Sequence, residues 1–276
     1  MSAGIDFGIT NTDAVAEVDG ALRLWTRPSD GEPDEALVRA ILAEGGLDVD
    51  RVRRVAVTGG RHRHLPARIG ACEIVKIGEV PAIGRGGQAL AEALGEPHTA
   101  PLLVVSAGSG TAAILARGDE YRHVSGSAVG GGTLLGLSRL ILGTVDPGEI
   151  DALALAGDPN GADLALSDVI SGPIGDLPPE ATAVNFGRLG KRALDVRRED
   201  LAAALVTLVG QVIGVTAINS ARAQSAEHII VTGHLLDMPS FRRALERTGE
   251  FYRTRFILPP DPGYATALGA LKQLPA

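Results

Sequence analysis

The sequence predicts an α/β protein built as two similar halves, each a mixed sheet flanked by helices. Three observations predict it. A β-β-β-α-β order opens the chain, a similar order recurs after residue 100, and in both copies a glycine- and hydroxyl-rich turn follows the first strand. The 276 residues are 45% apolar but only 3% aromatic, so the core must be built from Ala, Val, Leu and Ile. A formal charge of −7, the lack of a basic tract and few aromatics argue against nucleic acid as the main partner. Cys72 is the only cysteine, which excludes an internal disulfide and a Cys-rich metal site. No basic-then-apolar leader is present, and no run approaches the roughly 20 apolar residues of a membrane span. A cytoplasmic protein without membrane contact is the expectation.

Residues 2–7 read as a strand, and 13–18 with 21–26 as a hairpin about Asp19-Gly20. Glu32-Pro33-Asp34 opens an amphipathic helix to Glu44, which Gly45-Gly46 terminates. A strand at 52–58 ends at Gly59-Gly60. This order is the opening of a ribonuclease-H-like half. Residues 61–78 are expected as loop with one strand near 73–77, followed by a helix over 79–94. Gly95-Glu96-Pro97 breaks that helix and divides the chain into halves 1–98 and 99–276.

The order then recurs with strands at 102–106, 111–117 and 121–124, a glycine-rich turn, and a helix from Thr133. Helices at 146–156 and 162–170 precede a Pro-rich excursion over 171–184. A long apolar helix at 198–223, a strand at 228–232, a helix at 239–247, a strand at 256–258 and a helix at 264–273 complete the chain.

Four stretches carry chemistry. In Asp6-Phe7-Gly8-Ile9-Thr10-Asn11-Thr12, backbone N–H groups and hydroxyls suit a phosphate, and Asp6 a magnesium ion; a buried strand ending in an ordinary turn is the other reading. Ser106-Ala107-Gly108-Ser109-Gly110-Thr111 repeats the pattern in the second half, where a plain hairpin turn also fits. Two such turns in equivalent places face one another across a cleft in the phosphate reading. Gly130-Gly131-Gly132-Thr133 either offers unshielded N–H groups at a helix start or lets a helix pack closely on a sheet. Glu79 is either a helix N-terminal charge or a general base for phosphoryl transfer. His62 and His64 alternate as two metal ligands on one strand face would, but no third ligand accompanies them, so a metal site is rejected.

Taken together these motifs resemble the acetate and sugar kinase, Hsp70 and actin superfamily, and more closely the type II pantothenate kinases. The similarity is collinear over nearly the whole chain. The resemblance implies a nucleotide cleft between the halves, with Asp6 to Thr10 as the first phosphate loop and Ser106 to Thr111 as the second. It makes Glu79 the catalytic glutamate and places His123 in Arg122-His123-Val124-Ser125-Gly126 as a further catalytic position. Gly130 to Thr133 correspond to the family's nucleotide-binding glycines. Ala183 to Gly187 and the ending Pro262-Gly263-Tyr264-Ala265-Thr266-Ala267-Leu268-Gly269-Ala270-Leu271 also match. ATP, magnesium, phosphorylation of the pantothenate hydroxyl, feedback by CoA thioesters and a homodimer on helix 198–223 follow as expectations.

Two positions depart from the family pattern. Asp13 stands where the family usually has a lysine, and His123 where it has an arginine. The first inverts a charge beside the phosphates; the second leaves a side chain that is only partly cationic near neutral pH. Arg122 would point to the opposite strand face. An alternative function therefore follows, a catalytically impaired homologue that binds nucleotide or acyl-CoA as a sensor or partner. The start of the chain is also similar to hydantoinase and oxoprolinase subunits, whose chains are much longer. The Glu79 to Gly87 segment resembles the ATPase activators of CoA-ester dehydratases, whose iron–sulfur cluster one cysteine per chain does not suit.

Overall fold

The computed structural model describes residues 1–60, 62–96, 100–172, 177–190 and 195–275. The first half holds strands β1 (Ser2–Phe7), β2 (Asn11–Val18), β3 (Ala21–Pro28), β4 (Arg54–Gly59), β5 (Arg68–Ile69) and β6 (Cys72–Lys76), with helices α1 (Glu35–Glu44) and α2 (Glu79–Ala93). The second holds β7 (Leu102–Ala107), β8 (Thr111–Arg117), β9 (Glu120–Ser127), α3 (Gly131–Ile141), α4 (Pro147–Ala156), β10 (Leu164–Ala165), α5 (Leu166–Val169) and β11 (Thr182–Val184). It ends with α6 (Arg198–Gln224), β12 (His228–Thr232), α7 (Pro239–Phe251), β13 (Phe256–Ile257) and α8 (Ala265–Lys272).

The first sheet runs β3-β2-β1-β4-β6-β5 and the second β13-β12-β7-β8-β9. Each therefore has an antiparallel meander joined on one side to parallel strands. That mixed α/β architecture of two sheets flanked by helices is the one the sequence predicts. Alternation along the strands sorts the side chains. Ala3, Ile5, Phe7, Val55 and Val57 pack against Val38, Ile41 and Leu42 of α1, whereas Gly4 and Val15 turn to the opposite face, toward α8. In the second sheet Leu103, Val105 and Val231 pack on α6, while Val104, Ile114 and Ile230 meet Ile83 of α2.

Helix α2 thus leaves the first half to cover the second sheet, and α8 returns from the chain's end to cover the first. The two helices meet through glycines. A Cβ at Gly86 would strike the carbonyl of Ala265, and one at Gly269 the carbonyl of Ala82. Gly87 admits Val104, and Gly84 the ring of Tyr121. Each glycine costs about 1 kcal/mol of helix propensity relative to Ala, a cost offset by backbones that approach to contact. Gly86→Leu is expected to lower stability by about 3 kcal/mol or more, read as a shifted urea midpoint at unchanged slope.

Three segments differ from expectation. The helix expected at 162–170 is a short strand and one turn, because Asp163 accepts from the N–H of Phe186 at 2.7 Å and ties the segment to β11. Residues 61–78 carry two short strands rather than one. Helix α6 is long and apolar enough to cross a membrane, with a mean hydropathy of 2.2, contrary to the expectation that no run approaches a span; 61% of that window is buried inside the protein. Its Gly210 and Gly214 let Ala244 and Thr248 of α7 approach. The expected break between the halves, at 97–98, and part of the Pro-rich excursion, 173–176, lie outside the described residues.

Candidate active site

The C-terminal ends of β1, β4, β7 and β12 gather the polar residues, as expected for an open α/β sheet, where ligands bind beyond the strand ends. Asp6 lies across from Asp13 of β2 and Thr58 of β4, so the three side chains share the face away from α1. Gly59 has φ +85°, and a Cβ there would strike Asp6 Oδ1. Burial raises the Asp6 carboxyl to about 7, aided by the charges of Asp13 and Glu79 and opposed by His234. Asp6 is therefore a carboxylate short of positive charge, and the buried Thr58 hydroxyl opposite it has no hydrogen-bond partner among the described residues.

These groups suit a hydrated magnesium ion. Magnesium binds through one or two carboxylates, waters and substrate phosphates rather than through an all-protein cage. Among the described residues no three His, Cys, Asp or Glu side chains form such a cage. When bound, the ion would neutralise phosphate charge beside Asp6.

The first loop is tight. A Cβ at Gly8 would sit 2.5 Å from the carbonyl of Asn11. Ser29 braces it from behind, donating Oγ to Gly8 O at 2.8 Å and N–H to Thr10 O at 2.9 Å. The Thr12 hydroxyl bonds Ser29 Oγ at 3.0 Å and is buried on the α1 face, turned away from Asp6. Asn11 has the strand parity of Asp13, and Thr10 is exposed at the tip. Thr10 Oγ1 lies 2.9 Å from Ser109 Oγ, so the two loops meet directly. A cleft of about 230 Å³ lies behind the first loop, between Gly8, Thr12 and Gly31, rather than between the two loops.

The second loop rests on the glycine run. Gly131 N–H donates to Gly108 O at 2.8 Å and Gly132 N–H to Ser109 O at 2.9 Å. A Cβ at Gly130 would lie 2.7 Å from Ser109 O. Two amides expected to be unshielded are therefore bound within the protein, and close packing explains these glycines. The Thr133 hydroxyl donates to Ala128 O. Ser106 lies beside Thr232 at the floor, and Gly110 leads into β8.

Glu79 is the first residue of α2 and is exposed. His123 is exposed on β9, on the same face as Tyr121, whose ring packs on Gly84 and whose hydroxyl bonds Gln88 at 2.9 Å. Gln88 of α2 bonds Gly118 while Gly84 meets the ring of Tyr121, so β9 proceeds toward the Glu79 end of α2 and His123 lies on that side. Arg122 turns the other way and donates to Gln224 Oε1 of α6 at 2.6 Å. His62 is turned inward to Gly59 O, whereas His64 is exposed and faces Glu32, so their rings do not converge.

His234 is the residue sequence reasoning missed. It follows β12 and donates Nε2–H to Asp13 at 2.9 Å and Nδ1–H to Asp237 at 2.6 Å. Desolvation works against its charged form, but hydrogen bonds and charges from the two carboxylates prevail and raise it to about 10. Its place at a strand end, after Gly233, was the available signal.

A family model described as Fumble matches residues 86–273. The chain belongs to the Fumble family. It is 26% identical over 223 residues to a type II pantothenate kinase of Bacillus cereus, covering 80% of this chain and 81% of that one. A type II pantothenate kinase of Oceanobacillus iheyensis is 28% identical over 217 residues, covering 78% and 80%. In fold, this Fumble-family chain is similar to the activator of the 2-hydroxyisocaproyl-CoA dehydratase from Clostridium difficile with bound ADPNP. The TM-score is 0.63 at 17% identity, over 98% of this chain and 92% of that one. A ROK family glucokinase from Streptomyces griseus in complex with glucose and AMPPNP gives 0.59 at 14% identity, over 98% of each.

Proposed function

We propose that the protein is an ATP-dependent small-molecule kinase of the type II pantothenate kinase kind, acting on the hydroxyl of pantothenate or a related hydroxy acid in coenzyme A metabolism. One observation carries the reading: the loop after β1 and the loop after β7 meet at Thr10 and Ser109, 2.9 Å apart, beside the strand end that holds Asp6. Family membership supports it. In this reading the lobes are 1–98 and 99–276, with α2 and α8 exchanged between them. Asp6 holds magnesium through water. Gly8, Thr10 and Asn11 of one loop and Ser106, Gly108, Ser109 and Gly110 of the other hold the ATP phosphates, with Thr12 bracing the first loop. Gly130, Gly131, Gly132 and Thr133 seat the second loop beside the nucleotide. Glu79 takes the proton of the acceptor hydroxyl, and His123 orients the acceptor or the transferring group. In this reading the enzyme is cytoplasmic and homodimeric, with acyl-CoA as a regulator; the partly exposed stripe Leu208, Val212 and Val215 of α6 supports the dimer.

A second reading, an impaired homologue that senses nucleotide or acyl-CoA, is favoured by Asp13, whose carboxylate stands where the family usually carries a cation. An ADP-release screen over pantothenate, pantetheine and small hydroxy acids separates the two. Magnesium-dependent turnover with one acceptor is the expected result. Nucleotide or acyl-CoA binding with no turnover on any acceptor would establish the second reading instead.

A further inference from the structure

We propose that Asp13, His234 and Asp237 form a clasp between the two halves, in which His234 is a positioning residue that sets the separation of the two loops. Asp13 stands on β2, just past the first loop; His234 stands just past β12, beside the second, with Gly233 packed on Ala107. The bond between them joins residues 221 positions apart in sequence. Both ring nitrogens face carboxylate oxygens, which only accept, so both must carry protons and the ring is an imidazolium.

The ring is held on its other sides. A Cβ at Gly263 would strike it, and Tyr264 meets it edge-on at 5.9 Å between centroids and 74° between planes. Asp13 is 5% exposed, so its charge has little water to rely on and depends on His234. Where the family pattern has a cation at position 13 of β2, the cation here is His234, supplied by the second half. Because both of its N–H groups are held by carboxylates, His234 acts on the spacing of the two loops and does not touch phosphate. Asp13→Lys alone would place a second cation against the imidazolium, so changing Asp13 requires a matching change at His234.

The role in ATP binding rests on the kinase reading, but the clasp itself is measured without turnover. Spin labels at Ala21→Cys and Leu140→Cys, both exposed, report the separation of the halves, with the buried Cys72 left in place. His234→Ala and Asp13→Asn are each expected to lengthen and broaden the nucleotide-free distance. The double variant should open no further than the wider single one, since the two act as a unit. His234→Gln, which keeps a donor toward Asp13, should stay near the wild-type distance and serves if His234→Ala fails to fold. In kinetics, His234→Ala should raise KM for ATP about tenfold with a smaller change in kcat. Wild-type distances in both single variants, additive opening in the double, or opening in His234→Gln equal to that in Asp13→Asn would each overturn the clasp. Absence of wild-type turnover on every acceptor counts against the kinase reading alone, and unchanged distances in the variants count against the clasp alone.

Discussion

Glu79→Gln is expected to lower kcat by about 10²–10⁴-fold while leaving ATP affinity within about twofold. Glutamine keeps the length and the carbonyl oxygen of the side chain but cannot accept the acceptor's proton. Position favours Glu79 as that base. It is the first residue of α2, Gly78 before it has no side chain to cover it, and it is open to a substrate. Its charge is one of those that raise Asp6, after burial and Asp13, as expected of a carboxylate near the end of β1. If Glu79 were only a helix N-terminal charge, its replacement would cost about 0.3–1 kcal/mol of stability and leave the rate unchanged. ADP release measured alongside calorimetric nucleotide binding decides between them. A Glu79→Gln protein with wild-type kcat removes the assigned base.

Asp6→Asn is expected to abolish magnesium-dependent turnover and to make the ligand-free protein more stable above neutral pH, by about 1–3 kcal/mol. The sign follows from proton binding. Unfolded, Asp6 releases its proton near 3.8; folded, burial, Asp13 and Glu79 hold that proton until about 7. Across that interval the folded state binds more protons, so stability falls as pH rises, and above 7 the folded protein carries an unfavourable charge. Asparagine removes the charge and that slope. His234 behaves differently: with its folded value raised from 6.5 to about 10, its contribution is complete below 6.5 and is lost as pH rises through 10. Thermal melts of both proteins at pH 5 and 8, with and without magnesium and ATP, test this. The wild type should gain more from the ligands than Asp6→Asn does. An Asp6→Asn protein less stable than wild type at pH 8 would contradict the repulsion.

Much of this site is visible in the linear chain. The strand carrying Asp6, the turn at Gly8, the hairpin about Asp19-Gly20 and the start of α2 at Glu79 are set by neighbours within a few residues, through alternation, turn glycines and helix starts. The recurrence of that order made the two-half fold legible. The segment 162–170 shows where local pattern fails: its helical spacing yields to Asp163, whose carboxylate is held by Phe186 more than twenty residues away. Gly130, Gly131 and Gly132 could be recognised as a place of close approach, but not what approaches. Only the packing shows that Gly108 and Ser109 take two of those amides.

By itself, then, the sequence determined most strands, turns and helices of two like halves and the two glycine- and hydroxyl-rich loops at the ends of β1 and β7. The tertiary structure decided which helix covers which sheet, which amides remain free and which cation faces Asp13. Turns and periodicity are short-range steric and hydrophobic effects, whereas a buried carboxylate finds its partner through the whole fold. Asp13 and His234, 221 residues apart, meet only when both sheets are in place.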